Sequence, residues 1–203
     1  MGSTPKLPRW VREPEVPGYA SAHRLLPDEP RLYGTESLFG DWSGQVLLLS
    51  TMFAPAAHVR ARLRAGDPRP YAHDPNWPSH RLLLELARPI EWNGLLHGAA
   101  LANLLREGGR RTAGRPHTHE ALEHGVAVTR FTVEHMPNLE WIVCLGELAW
   151  NVAARAVGVE GRWSRFRDAG RTLGPLVPAF NTSARVPRDR IDDAWRTVLA
   201  VAA

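Results

Sequence analysis

The chain has 203 residues, 44% hydrophobic and 23% charged, which suits one domain with a full hydrophobic core. Basic residues exceed acidic ones by 25 to 21, and a net charge of +4 carries no strong signal for a polyanionic partner. The single cysteine, Cys144, excludes an internal disulfide and a cysteine-ligated iron–sulfur cluster within one chain.

Residues 1–30 contain six prolines and show little periodicity, which predicts an extended arm without a core element. Trp10, Val11 and Val16 are the side chains that can hold this arm against the domain, which we expect to span residues 31–203. The start lacks the apolar stretch of a signal peptide, and no run approaches the roughly 18 apolar residues that span a membrane. We therefore expect a cytoplasmic protein without a membrane partner.

Beyond the arm, short apolar runs alternate with amphipathic segments. The apolar runs predict strands at residues 45–50, 94–101, 141–145 and 176–180. The amphipathic segments predict helices that begin at Pro55, Ser79, Thr118 and Glu147, and a last helix with Ile191, Trp195 and Val198 facing inward. Buried strands that alternate with helices predict an α/β fold: a three-layer αβα sandwich with a central four-stranded parallel sheet.

Ligands of such sheets bind outside the carboxyl ends of the strands. Functional residues are therefore expected in four loops, near residues 51–58, 101–110, 145–147 and 181–187. None contains a GxGxxG or Walker A sequence, so a dinucleotide or nucleoside triphosphate site has no support. The last loop, within FNTSARVPRDR, has short polar side chains followed by arginines. It can contact a phosphate backbone and a base, or form a capping turn before the last helix.

Three histidines, His117, His119 and His124, cluster near the start of the long helix. A zinc site needs convergent ligands, and no cysteine or acid stands at a supporting spacing. We therefore expect neither a metal nor another cofactor.

From about Leu32 to Ala200 the chain resembles the uracil-DNA glycosylase superfamily, and four segments carry the likeness. VLLLSTMFAPAAH is similar to the first motif, a strand entering a Gly-x-(Asp/Asn/Ala)-Pro turn. HGAALANLLREGG resembles the second strand and its extension, where members hold an Asn beside the base pocket. LEWIVCLGELAWNVA is similar to a Pro-x-x-Ile-Val-x-Leu-Gly-x-x-Ala segment. FNTSARV resembles the His/Asn-Pro-Ser turn that completes the pocket and wedges into DNA.

The resemblance implies an enzyme that flips a damaged base out of DNA and hydrolyses its N-glycosidic bond. Phe53 would stack on the base beside Ala54, although an aromatic ring this close to a strand can equally belong to the core. Asn103 would read the base edge, although the alignment of this segment with the superfamily can shift by several residues. Asn181 stands where many members have the histidine that stabilises the departing base.

The residue that orients the attacking water is less obvious. Several branches have Asp or Asn before the proline of the first motif, where this chain has Ala54. The branch with Gly-Leu-Ala-Pro-Ala places its acid further downstream, but it usually carries a four-cysteine cluster that one cysteine cannot provide. Asp74, in a downstream loop, is the preferred candidate, unless it only forms a turn. His58 is a second candidate.

The same resemblance assigns Ser183, Arg185 and Arg188 to DNA contact. The leading hypothesis is a monomeric DNA glycosylase, free of metal and cofactor, that acts on DNA containing uracil or another deaminated base. One alternative is a catalytically weak or inactive protein on the same fold that binds DNA or a base. Another is a nucleotide- or phosphate-processing α/β enzyme unrelated to DNA.

Overall fold

The computed structural model describes eight segments of the chain. They are residues 5–25, 41–51, 55–66, 78–89, 95–108, 115–160, 172–181 and 186–202. No helix in these segments is both long enough and apolar enough to cross a lipid bilayer.

The described segments contain short strands and seven helices. The strands are β1 (Tyr19–Ser21), β2 (Val46–Ser50), β3 (Leu95–Ala99), β4 (Leu104–Arg106), β5 (Trp141–Leu145) and β6 (Leu176–Ala179). The helices are α1 (Arg9–Arg12), α2 (Ala22–Leu25), α3 (Ala56–Arg64), α4 (Pro78–Ala87), α5 (His119–Glu134), α6 (Glu147–Val157) and α7 (Arg188–Ala202).

Four strands form one parallel sheet in the order β3-β2-β5-β6. Strand β2 is central, so that Leu47 lies beside Leu96 of β3 and beside Ile142 of β5. Strand β6 extends the sheet from β5, where Val143 pairs with Val177. The predicted α/β fold with a central four-stranded parallel sheet is confirmed.

Helices cover both faces of this sheet. Leu47 and Leu49 of β2 pack in the core under α5 and α6, whereas Val46 and Leu48 pack in the core under α4 and α7. Successive residues of a strand point to opposite faces, so a strand between two helical layers is apolar at every position. This explains the uninterrupted run VLLL, and the two helical layers complete the predicted αβα sandwich.

The helix boundaries follow local signals in the sequence. Helix α5 begins after Thr118, whose hydroxyl accepts a hydrogen bond from the backbone N–H of Ala121 at 3.3 Å. Val126 and Thr129 lie on its buried face, as their helical spacing predicts. Helix α3 begins directly after Pro55, one position later than predicted.

The N-terminal segment contributes a strand and a core side chain, which differs from the expectation of an arm without a core element. Strand β1 pairs antiparallel with β4, and β4 lies in the stretch near residues 101–110 that was predicted to be a loop. Val11 is fully buried against the α5–α6 layer. Periodicity gave no sign of this because each short element places only one or two side chains in the core, and their partners lie far along the chain.

Candidate functional site at the switch point of the sheet

The strand order reverses between β2 and β5. The chain runs from β2 to β3 on one side of the sheet and then returns across β2 to β5 on the other side. In sheets of this type, ligands bind at the carboxyl ends of the two strands where the order reverses. Thr51 follows β2 and Gly146 follows β5 at this edge.

Three residues from three loops meet there, and we call Thr51, Gly146 and Asn181 the switch-point junction. Asn181 Nδ2 donates a hydrogen bond to Thr51 Oγ1 at 2.7 Å, although the two residues are 130 positions apart. Thr51 Oγ1 in turn donates to the backbone oxygen of Leu145 at 3.3 Å. All three junction residues are half-buried, so the junction lies at the boundary between the core and the surface.

The junction requires glycine at position 146. The backbone of Gly146 has φ 100° and ψ 169°, a region that is essentially restricted to glycine. A Cβ at this position would lie 3.3 Å from the Cβ of Asn181 and 3.7 Å from Thr51 Oγ1. Because Gly146 has no side chain, Asn181 can reach Thr51 across the end of β5, which separates β2 from β6.

Helices α3 and α6 both begin at this edge of the sheet. Their N-cap residues are Pro55 and Gly146, whose side chains have no oxygen to accept hydrogen bonds from the first-turn N–H groups. Helix N-termini carry partial positive charge and favour a nearby anionic group. Glu147 begins α6 with an exposed side chain, which also places a carboxylate at this edge. Glu147 lies in the loop at residues 145–147 where functional residues were expected, but no role was predicted for it.

A buried serine–histidine pair links β2 to β3 near the same edge. Ser50 Oγ lies 3.2 Å from Nε2 of His97, which is 1% exposed. The Ser50 hydroxyl also donates to the backbone oxygen of Gly98 at 3.1 Å. A histidine inside an apolar strand is the signal in the sequence that points to this pair.

Several predicted site residues lie outside the described segments. These are Phe53, Ala54, Asp74, Ser183 and Arg185. Their predicted roles stay predictions. Of the predicted catalytic residues, Asn181 lies at the switch-point junction, and His58 is half-buried in the first turn of α3, near the carboxyl end of β2.

The amide of Asn103 faces the N-terminal segment. Asn103 is fully buried, and its Nδ2 donates to the backbone oxygens of Val11 at 2.8 Å and Arg12 at 3.1 Å. Its Oδ1 lies 3.3 Å from His124 Nε2, which must be the donor because a carbonyl oxygen only accepts. The predicted contact of Asn103 with a base edge therefore has no support in this geometry.

Arg188 is held by two carboxylates. Its guanidinium lies 2.8 Å from Glu85 of α4 and 2.6 Å from Asp192 of α7. Hydrogen bonds to these two partners raise the pKa of Arg188. The Arg188 side chain is about half-exposed, so a DNA phosphate can approach it but must compete with both acids for the same donors.

The histidines near the start of α5 take part in separate local contacts. His117 Nδ1 lies 2.6 Å from Arg106 and 2.8 Å from the hydroxyl of Tyr19, and both of these groups have protons to donate. His124 contacts Asn103, and His119 lies 3.5 Å from Glu123. Within the described part of the chain, no group of three or more histidine, cysteine or acidic side chains is arranged to hold a metal ion.

Burial makes three histidines harder to protonate than in water. The pKa of His23, His117 and His124 is lowered to about 4, and burial is the largest cause. Arg12 contributes to the lowering at His23, where Glu13 opposes it, and Arg106 contributes to the lowering at His117.

These shifts predict that acidification destabilises the protein between about pH 6.5 and pH 4. In this window the unfolded histidines bind protons while the folded ones do not, so the free energy of unfolding falls as the pH is lowered. The histidine contribution is complete above about pH 6.5, the unfolded value, and is lost once the pH reaches about 4. Urea denaturation at a series of pH values measures it.

The control variant is His117→Asn, which keeps an acceptor for Arg106 and removes one titrating group. Three histidines share the effect, so the variant should lose about a third of the pH dependence between pH 5 and pH 6.5. Arginine partners lower the pKa of Glu85, Glu107 and Glu123, so these carboxylates change the stability mainly below their ordinary pKa of 4.5 and contribute little between about pH 5 and pH 6.5. A pH dependence unchanged in His117→Asn would contradict the assignment.

A cavity of about 580 Å³ lies beside the N-terminal segment, and among the described residues its lining includes none of the switch-point junction. Its walls include Tyr19, Arg24 and Arg60. Arg24 lies 3.3 Å from Glu15, and both terminal nitrogens of Arg60 bond to Glu107 at 2.6 and 2.7 Å. These acids already neutralise both arginines, so the cavity shows no excess charge that would select a ligand.

No protein-family model matches this chain, and no curated protein sequence matches it. The fold and the junction define its class: a doubly covered parallel α/β protein whose candidate site lies at the switch point of the sheet.

Proposed function

We propose that this protein is a DNA glycosylase that flips uracil or another deaminated base out of DNA and hydrolyses the N-glycosidic bond. Two lines support the proposal. The segments around residues 46–58, 97–109, 139–153 and 180–186 resemble the uracil-DNA glycosylase superfamily in order and spacing. The parallel sheet presents the ends of β2, β3, β5 and β6 at one edge, as a site built from these segments requires.

The observation that carries the proposal is the hydrogen bond from Asn181 Nδ2 to Thr51 Oγ1. Thr51 belongs to the segment that resembles the first motif, and Asn181 to the segment that resembles the last. A base pocket formed by these two motifs needs them in contact at the switch point. The distance of 2.7 Å between Asn181 Nδ2 and Thr51 Oγ1 is consistent with such a contact.

The chemistry asks for charge stabilisation as the bond between C1′ of the sugar and the base nitrogen breaks. The bonding electrons leave with the base, and a hydrogen-bond donor placed at the resulting anion contributes about 3 kcal/mol. The Asn181 amide supplies such a donor, and the N-termini of α3 and α6 favour negative charge at the same edge. A water then adds to the cationic C1′ and gives up one proton, and the departed base anion takes up a proton, which leaves a neutral base and an abasic sugar. Phe53 is proposed to stack on the flipped base, with Ala54 beside it.

The proposed reaction leaves three candidates for orienting the water. Asp74 and His58 follow from the resemblance, and Glu147 is the exposed carboxylate found beside Gly146. Ser183, Arg185 and Arg188 are proposed to contact the DNA backbone. We further propose that the protein acts in the cytoplasm as a monomer on DNA containing a damaged base.

Incubation with oligonucleotides that contain uracil, hypoxanthine or xanthine, in single- and double-stranded form, tests the proposal. We expect an alkali-labile abasic site with at least one of these bases. Asn181→Ala should lower kcat about 100-fold because it removes the donor to the departing base. The matched control is Asn138→Ala, since Asn138 bonds to Ser43 at the opposite edge of the sheet and its loss should leave kcat unchanged. Intact substrates at high enzyme concentration would exclude the glycosylase.

Ala54 favours a second candidate function, a DNA- or base-binding protein that does not cleave. It stands where several branches of the superfamily have the acid or amide of the first motif. Such a protein would bind the same oligonucleotides with an affinity that falls as salt rises, and no abasic site would form. Measuring binding and cleavage on one substrate separates the two functions.

A further inference from the structure

The direction of the hydrogen bonds at the junction is determined by the backbone of β5. Thr51 Oγ1 is hydrogen-bonded to the backbone oxygen of Leu145 at 3.3 Å, and because a carbonyl oxygen only accepts, this bond uses the single hydroxyl proton of Thr51. Thr51 Oγ1 is then left to accept, and its partner at 2.7 Å must be the nitrogen of the Asn181 amide. With the amide reversed, Asn181 Oδ1 and the Leu145 oxygen would compete for the one hydroxyl proton of Thr51, and one of the two hydrogen bonds would be lost.

We propose that Thr51 is a positioning residue that fixes which end of the Asn181 amide faces the switch point. Thr51 donates its hydroxyl proton to the Leu145 carbonyl, and Thr51 Oγ1 therefore accepts a hydrogen bond from Asn181 Nδ2. The kinetic consequence of this inference rests on the proposed glycosylase function, whereas the structural one does not. With the nitrogen held at the junction, the donor end of the Asn181 amide faces the switch point before any ligand arrives, and the proposed reaction needs no reorientation of the amide.

The surroundings make this pair of hydrogen bonds rigid. Leu145 is 1% exposed and belongs to β5, whose neighbours on either side are β2 and β6. The N–H of Gly146 donates to the backbone oxygen of Ala179 at 2.9 Å, which ties the end of β5 to the end of β6. Asn181 follows β6 by two residues. Leu145, Thr51 and Asn181 therefore all lie in, or within two residues of, hydrogen-bonded strands.

The test compares Thr51→Val, which removes the hydroxyl at nearly constant volume, with Thr51→Ser, which keeps it. On an oligonucleotide substrate we expect Thr51→Val to lower kcat about 10-fold with little change in KM, because the misplaced donor acts mainly in the transition state. Thr51→Ser should retain most of the wild-type kcat. In an Asn181→Ala background, Thr51→Val should cause no further loss, since a positioning residue acts only through its target.

A second measurement needs no substrate. The ¹⁵N side-chain amide signal of Asn181, assigned by its loss in Asn181→Ala, reports the hydrogen bond to Thr51 directly. Exchange of these amide protons with water should be slow in the wild type and in Thr51→Ser, and faster in Thr51→Val.

Equal exchange in all three proteins would overturn the positioning role, as would equal kcat losses in Thr51→Val and Thr51→Ser or additive losses with Asn181→Ala. If the wild-type protein excises no base, the glycosylase proposal fails, and the exchange measurement alone decides whether Thr51 positions Asn181.

Discussion

Replacing Gly125 with alanine is expected to destabilise the folded protein by about 2–4 kcal/mol. Gly125 lies on the buried face of α5, where the helix crosses the backbone that follows β3. A Cβ there would overlap the carbonyl oxygen of Ala100 and lie 3.2 Å from its carbonyl carbon. The obstacle is backbone rather than a flexible side chain, so either the whole helix or the chain after β3 must shift.

The sign of this effect depends on two opposing contributions. Alanine is the better helix former by about 0.5–1 kcal/mol, which by itself would stabilise α5. Forcing a methyl group into a closely packed core typically costs about 1–3 kcal/mol and occasionally more, and the overlap with a backbone carbonyl places Gly125→Ala at or above the upper end of that range. Packing therefore outweighs propensity.

Urea denaturation followed by circular dichroism measures the Gly125→Ala effect. The matched control is Ala127→Gly in the same helix, since Ala127 is exposed and its change should cost only the propensity difference, about 0.5–1 kcal/mol. A Gly125→Ala protein as stable as the wild type would show that α5 does not approach Ala100 this closely.

Replacing Asn103 with alanine is expected to cost about 3 kcal/mol of stability and to loosen the N-terminal segment. The side chain is 0% exposed and donates to the backbone oxygens of Val11 and Arg12. It also contacts the hydroxyl of Ser21 at 3.3 Å and the ring of His124. Its removal takes away a donor in the core and opens a small cavity, and both changes are destabilising.

Two measurements separate this structural role from a role in base recognition. Denaturation gives the loss of stability, and hydrogen exchange should show faster amide exchange across Tyr19–Ser21. Ser21→Ala is the control, because it removes one hydroxyl of the same network and should have a smaller effect. A variant that keeps full stability and slow exchange but loses activity would return Asn103 to the predicted base pocket.

Much of the fold was predictable because its signals are local. The run VLLL and the apolar stretch before Gly146 identify strands buried on both faces, and Thr118 marks the start of α5 through a bond three residues away. The parallel sheet follows from strands that alternate with helices. The short pair of β1 and β4 was missed because strands of three residues have no measurable periodicity.

The candidate site was predictable only in its location. Ligands of parallel sheets bind at the carboxyl ends of the strands, which places Asn181 and the loop after β2 at one edge. However, Asn181 follows β6 and the loop follows β2, and these two strands are not neighbours in the sheet. Their contact depends on the missing side chain of Gly146 between them. For Asn103 and Arg188 the tertiary structure supplies partners other than the predicted ones. The Asn103 amide donates to the backbone of Val11, 92 positions away, instead of facing a base. Arg188 bonds to Glu85, 103 positions away, which competes with a DNA phosphate.

The sequence by itself determined the αβα class, the bounds of its main helices and strands, and the edge where function is expected. These depend on hydrophobic periodicity and on hydrogen bonds between residues a few positions apart. Only the tertiary structure decided which polar side chain points to the site and which to the core. That choice depends on partners distant in sequence, because a buried amide or guanidinium takes the orientation that satisfies its hydrogen bonds wherever the fold supplies them.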